Sequence, residues 1–329
     1  MSSLVGVDLG GTKVAVATLR ERDLGESQIQ PTARSNSDAL IEQLLSMIDS
    51  AHGGELRGVG VGVPSVVEFD TGRVVSSVNI PLADVPLRQV LEDRLGVPVF
   101  VDNDATVAAL AEAHDDQLRM VAHHLVMITV GTGVGGGLIL DGRIYRGATG
   151  GAGELGHTIV GLDLAGVVPA PTGFPQPGSL EFEASGHALD RLAGHAASLH
   201  PESELGELYT EGKPVLGADA VQAAHAGDPA ALRIVEIWGQ RLGIGIANAI
   251  NTFDPEEVVI GGGAARAGGL LLEPAQRVAL GYVLPGLGKR TTIRLARHGV
   301  RAGVLGAALL AEHELGGAQA RASVHEARR

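Results

Sequence analysis

The sequence predicts an α/β protein made of two similar lobes, and three observations lead there. An apolar run, a glycine-rich link and a second β-type run occur in that order twice, as DLGGTKVAVATL over residues 8–19 and as TVGTGVGGGLIL over 129–140. Helical segments are interleaved with further β-type runs in both halves. A chain of 329 residues, 45% hydrophobic and 19% charged, is ordered and long enough for a large core divided between lobes.

In chain order, LVGVD (4–8) reads as a buried strand, Gly10-Gly11-Thr12 as a link and VAVATL (14–19) as the strand that completes a hairpin. Residues 38–51 carry apolar side chains at helical spacing, with Ser35, Asn36 and Ser37 as N-cap candidates. GVGVGVP (58–64) is a buried strand, 87–95 a short helix stopped by Gly96, and VPVFVD (97–102) a strand. Asn103-Asp104 then opens a helix, ATVAALAEA. LVMITV (125–130) and GLIL (137–140) are strands, and Asp141-Gly142 is a two-residue hairpin turn into RIY. Residues 161–178, rich in Gly and Pro, form an irregular loop. A long helix covers 229–251, VVI (258–260) is a strand running into Gly261-Gly262-Gly263, and 304–315 is a final helix. The lobes are expected as 1–113 plus 301–320 and 114–300, with 316–329 a frayed tail.

Composition excludes several classes of function. A formal net charge of −13 repels nucleic-acid backbones. A nucleotide stays compatible, because backbone N–H groups and a divalent metal hold phosphates locally. With no cysteine there are neither disulfides nor thiolate metal sites. The N-terminus has neither a basic region nor a long apolar run, so it reads as no signal peptide, and no stretch of about 18 apolar residues marks a spanning helix.

Five motifs carry candidate chemistry. In DLGGTK (8–13) glycines let backbone approach an anion, Thr12 adds a hydroxyl and Asp8 sits where a strand-end carboxylate holds the water shell of Mg²⁺; a plain hairpin with a solvated Lys13 is the alternative. GTGVGG (131–136) fits a dinucleotide fingerprint, but β-type residues follow where that fingerprint needs a helix, so a second phosphate-facing hairpin is the better reading. Asn103-Asp104 lies at a strand–helix junction, where a helix cap competes with catalysis. Glu154 and His157 in ELGH can share a ligand, a metal or a purely structural role. Glu181 and Glu183 in LEFEASG read equally well as solvated charges.

Together these segments resemble the ROK family (repressors, uncharacterised reading frames and sugar kinases), from LVGVDLGGTK to GVLGAALLA. The pieces are VDLGGTK, VPVFVDNDATVAALAE, TVGTGVGGGLILDGRIYRGATGGAGELGH, SLEFEASG and VVIGGG. The resemblance implies a duplicated, actin-like (ribonuclease-H-like) fold whose lobes close on ATP and a hexose. It places Asp8, Gly10, Gly11, Thr12 and Lys13 in the first phosphate motif, and Thr129, Gly131, Thr132 and Gly133 in the second. Gly261, Gly262 and Gly263 match the adenosine-side loop. Asn103, Glu154, His157 and Glu181 match sugar-binding positions, and Asp104 matches the catalytic base. ATP and Mg²⁺, the latter near Asp8, are the implied cofactors. The substrate is a hexose, with an aminohexose and a catalytically silent sugar sensor as alternatives; a cytoplasmic homodimer without nucleic-acid or membrane partners is expected.

The chain departs from the family pattern twice. ROK kinases commonly carry a CxCGxxGC zinc motif before the sugar-binding Glu, and its positions include Thr172, Phe174 and Ser179 here, so no structural zinc is expected. Phe174 and the nearby prolines are expected to brace the loop by packing instead. Ser65 follows Pro64 where a Gly is usual. The repressor branch adds an N-terminal helix-turn-helix, for which the early Asp8 leaves no room.

Overall fold

The computed structural model describes residues 2–77, 79–164 and 166–326. The chain divides into two compact units, one of residues 1–123, 137–153 and 298–329, the other of 124–136 and 154–297.

In the first unit, β1 (Ser2–Leu9) and β2 (Lys13–Arg20) form an antiparallel hairpin. β3 (Asp23–Leu24) and β4 (Gln28–Pro31) both pair with β2. Helix α1 (Ser37–His52) is capped by Asn36, whose side chain accepts the Ala39 N–H at 2.8 Å. β5 (Glu55–Val63) returns parallel to β1. A small antiparallel pair, β6 (Val66–Glu68) and β7 (Arg73–Ser76), precedes α2 (Leu87–Leu95), which Gly96 ends in a left-handed conformation (φ 68°). β8 (Val99–Asn103) lies parallel to β5 and leads straight into α3 (Asp104–Glu112). The sheet order is β3-β2-β1-β5-β8. Val5, Val7, Val59, Val61, Val99 and Val101, in register on one face of β1, β5 and β8, are fully buried.

The same plan recurs. β9 (Leu125–Val130) is followed by β10 (Val134–Leu140), along which the chain leaves the second unit at Gly136 and re-enters the first at Gly137. β11 (Arg143–Ile144) pairs antiparallel with β10 across Asp141-Gly142, both at positive φ (52° and 71°), as the expected two-residue turn demands. In the second unit come four helices, α4 (Leu180–Ala184), α5 (Gly186–Leu199), α6 (Glu204–Thr210) and α7 (Gly217–Ala226). The long α8 (Pro229–Phe253) follows, with Pro229 in its first turn and Asp228 as cap. β12 (Glu257–Gly261), α9 (Gly269–Tyr282) and β13 (Thr292–Leu295) complete the sheet in the order β11-β10-β9-β12-β13, with β9, β12 and β13 parallel. Two sheets, each an antiparallel hairpin set beside parallel strands, are the duplicated actin-like architecture.

Back in the first unit, α10 (Ala302–Glu326) lies unusually close to the sheet. A Cβ on Gly6 of β1 would stand 2.1 Å from the Val304 carbonyl oxygen, and one on Gly60 of β5 would stand 1.7 Å from that of Ala307. α10 runs on to Glu326, past residue 315 where the sequence pattern ended it, because Gly316-Gly317 is followed by Ala-rich helix-forming sequence without proline. The rest of the expected frayed tail, 327–329, lies outside the described residues.

Candidate active site

At the end of β8 the helix-cap role falls to one residue of Asn103-Asp104. Asn103 is the cap: its Oδ1 accepts from the backbone N–H groups of Ala105 (2.9 Å) and Thr106 (3.3 Å). Asp104 is the first helical residue, half-buried, with Oδ1 accepting the Ala105 N–H at 2.8 Å. Asn103 Nδ2 reaches the Ser65 carbonyl oxygen at 3.4 Å. Ser65 itself is buried, and its Oγ has no hydrogen-bond partner among the described residues.

The tip of the first hairpin is closed by Gly10 N–H to the Lys13 carbonyl (2.9 Å). Its own carbonyls are engaged from outside the motif: Thr32 Oγ1 donates to Gly10 O (2.7 Å) and Arg34 donates to Gly11 O. Thr12 and Lys13 are exposed, and Arg34 adds a cation that no sequence motif singled out. Asp8 packs against the first turn of α10, where a Cβ on Gly303 would lie 2.5 Å from its carboxyl group. Burial pushes the Asp8 carboxyl above the usual range, and the Lys13 charge pulls the other way.

The second unit gathers other expected residues. No helix follows GTGVGG; β10 does, as the sequence reading required. Gly131, Thr132 and Gly263 line one pocket of about 740 Å³, walled by α5 and α7 through His187, Asp190 and Gln222. Trp238 of α8 also lines it and donates Nε1–H to the Ala184 carbonyl at 2.7 Å. Gly262 has φ 78°, and a Cβ there would stand 2.4 Å from the Val130 carbonyl oxygen, so only glycine fits. Gly261 is buried against Met127, and Thr129 is half-buried at the end of β9. The walls from α5 and α7 were not foreseen; they carry no motif and are recruited by packing alone.

Glu154 and His157 flank a single 3₁₀ turn over Leu155–His157, with Oε2 and Nε2 3.8 Å apart. Glu181 sits in the first turn of α4, and its Oε2 accepts the Val134 N–H at 2.8 Å, tying it to the second glycine-rich hairpin. Glu183 pairs with Arg241 (2.9 Å), which is the plain ion-pair role.

At the positions that match zinc cysteines the expected packing brace is not seen, since Phe174 is 75% exposed and Pro171, Pro175 and Pro177 are exposed too; the contacts there are of other kinds. Thr172 N–H donates to Gln176 Oε1 at 2.7 Å. The Phe174 ring meets the His157 ring edge-on with centroids 5.1 Å apart. Ser179 caps α4, accepting from Phe182 N–H at 3.2 Å, and so presents Glu181. The loop ends are pinned where Gly178 O accepts from Val160 (2.8 Å) and Gly161 (3.1 Å).

With this geometry in hand, comparison with known proteins defines the class. The ROK family model matches residues 4–314, and the chain belongs to the ROK family. It is 37% identical over 322 residues to a glucokinase from Halalkalibacterium halodurans, covering 94% of this chain and 95% of that one. It is 33% identical over 315 residues to an N-acetyl-D-glucosamine kinase from Aliivibrio fischeri, covering 93% and 98%. A crystal structure of a ROK family glucokinase from Streptomyces griseus, in complex with glucose and AMPPNP, superposes with a TM-score of 0.76 at 30% identity, covering 94% of this chain and 99% of that one.

Proposed function

We propose that this protein is an ATP-dependent hexose kinase that transfers the γ-phosphoryl group to a sugar hydroxyl, the 6-hydroxyl of glucose or a related hexose. The observation that carries the reading is the pocket that gathers Gly131, Thr132 and Gly263, two of the glycine-rich loops, into one cavity large enough for a nucleoside. Similarity to glucokinases over nearly the whole chain supports it.

Phosphoryl transfer asks mainly for positioning and charge stabilisation. In this reading Asp104 takes the proton from the attacking hydroxyl, and Asn103, Glu154, His157 and Glu181 hold ring hydroxyls. Gly10–Lys13 and Thr129–Gly133 cradle the phosphates, and Gly261–Gly263 flank the adenosine. Mg²⁺ neutralises phosphate charge when bound. Asp8 fits a hydrated Mg²⁺, because a carboxyl desolvated against α10 gains from a nearby cation in its ionised form. The same proposal keeps the protein in the cytoplasm as a homodimer without nucleic-acid or membrane partners; among the described residues no helix is long and apolar enough to cross a membrane.

An amino-sugar substrate is the second reading. It is favoured by the N-acetyl-D-glucosamine kinase relative.

A coupled ADP-release assay across hexoses and aminohexoses tests both. Turnover fastest with a neutral hexose supports the first, and fastest with an aminohexose the second. Sugar binding without ADP release identifies a sensor and ends the kinase reading. Asp104→Asn is expected to fold normally and to lose about 10²–10⁴-fold in kcat. A variant with near-wild-type kcat removes Asp104 from the role.

A further inference from the structure

Directly before Asn103-Asp104 stands a buried charge that none of the roles above uses. Asp102 is 3% exposed, and both of its carboxylate oxygens are engaged. Oδ1 accepts the N–H of Asn103 at 2.9 Å, and Oδ2 accepts Nε–H of Arg146 at 2.7 Å. Arg146 in turn donates from its terminal nitrogen to Glu314 of α10 at 3.0 Å. Its guanidinium carbon lies 3.4 Å from the Phe69 ring centroid, a stacking that holds the planar group in one orientation. The turn that carries Arg146 is fixed as well: Ala152 N–H donates to the Arg146 carbonyl at 3.1 Å. A Cβ on Gly150 would stand 2.3 Å from the Val67 carbonyl oxygen, so that turn lies flat on β6.

Burying two charges in this way rarely gains stability over apolar groups of the same size, so a role in specifying geometry is the natural one to seek. The geometry here is specific. The Asp102 carboxylate grips the peptide N–H at the point where β8 turns into α3, and Arg146 fixes the direction of that grip. The next two residues are the cap and the proposed base. We infer that Arg146, acting through Asp102, is a positioning residue that sets the aim of Asp104. Glu314 places α10 in the same chain of hydrogen bonds. This inference rests on the kinase reading given above.

The experiment removes the Asp102 and Arg146 charges as a pair, with D102L/R146M, so that neither is left buried without the other; Glu314, 21% exposed, keeps access to solvent. The expected result is a thermal midpoint near that of the wild type, KM for ATP unchanged and kcat lower by about 10²-fold, the cost of misplacing a catalytic group by about 1 Å. Wild-type kcat in this variant overturns the inference and leaves the pair a packing device. Should the double variant fail to fold, R146K is read instead. It keeps the charge but lacks the planar two-way bridge; reduced kcat at unchanged KM for ATP supports positioning, and wild-type kcat overturns it. If the wild-type protein releases no ADP with any sugar, the kinase reading has failed. The inference is then decided by amide hydrogen exchange of residues 103–106 in whichever variant folds. Faster exchange confined to that turn upholds it, and unchanged exchange rejects it.

Discussion

Among the described residues of the first unit, Ser65 and Arg88 each leave one buried polar side-chain atom without a partner. The Ser65 hydroxyl is buried without a partner among the described residues, whereas the Ser65 carbonyl serves Asn103. An orphaned buried hydroxyl costs on the order of 1–3 kcal/mol, and removing it relieves that cost. Ser65→Ala is therefore expected to leave urea stability unchanged or raise it by about 1 kcal/mol. A loss of more than about 1 kcal/mol would mean that the hydroxyl has a partner in solution, such as a bound water. The residues around it were partly legible in sequence. Asn103 and Asp104 stood out from their strand–helix junction, but which of them caps the helix depended on side-chain direction. Arg34 and Arg146 were not legible, because an arginine announces no partner until the chain folds back on it.

Elements in this protein approach each other through glycine. Gly6 and Gly60 of the sheet, and Gly303 and Gly306 of α10, let the helix backbone come within contact of strands and of α3. A Cβ on Gly306 would sit 1.7 Å from the Val107 carbonyl oxygen, so Gly306→Ala forces α10 away. The expected loss is about 1–3 kcal/mol by chemical denaturation, typical of overpacking. Gly316, on the same helix, faces open space, so Gly316→Ala is expected to stabilise by about 0.5–1 kcal/mol through helix propensity alone. If both substitutions act alike, close packing is not what the α10 glycines serve. In the second unit Gly239 and Gly243 of α8 do the same against α9, where added Cβ atoms would stand 2.7 and 2.6 Å from the Leu271 and Ala275 carbonyl oxygens. The abundance of glycine, 48 residues, was visible at once in the sequence. Its division between tight turns and interelement contacts was not, since both uses look the same along a chain.

For the molecule as a whole, acid sensitivity follows from buried imidazoles. His114 is buried, donates Nδ1–H to the Leu110 carbonyl at 2.7 Å and meets the His313 ring edge-on at 5.3 Å. Burial holds both imidazoles below their ordinary value, with His298 adding repulsion at His114 and Glu312 and Glu314 pulling back. Between that lowered value and about 6.5 the unfolded chain binds protons that the folded one refuses. Stability is thus full above about pH 6.5 and falls as pH drops below it. Asp8 and Asp102, raised by burial, act in the opposite sense at lower pH, since each keeps its proton longer in the folded state. The difference between wild type and His313→Gln isolates the imidazole: the variant is expected to lose less stability between pH 7 and 5. Equal losses in thermal melts would show that His313 binds protons alike in both states.

What the sequence determined by itself was the order of elements and the motifs they carry. Strand period, glycine links and cap residues act over a few neighbours, so Asn36, Gly96 and Asp141-Gly142 did locally what their chemistry demands. The edge strand Gln28–Pro31 and the helices between Gly186 and Ala226 escaped, because every residue of the former is exposed and α5 and α7 bury stripes made mostly of alanine, which stand out little along a chain. Tertiary structure alone decided the walls of the pocket of about 740 Å³, the clamp of Arg146 on Asp102 and the cap and ring contacts at Thr172, Phe174 and Ser179. Each joins groups that lie within a short reach in space but whose mutual direction is set by packing, a long-range property that no local window of residues contains.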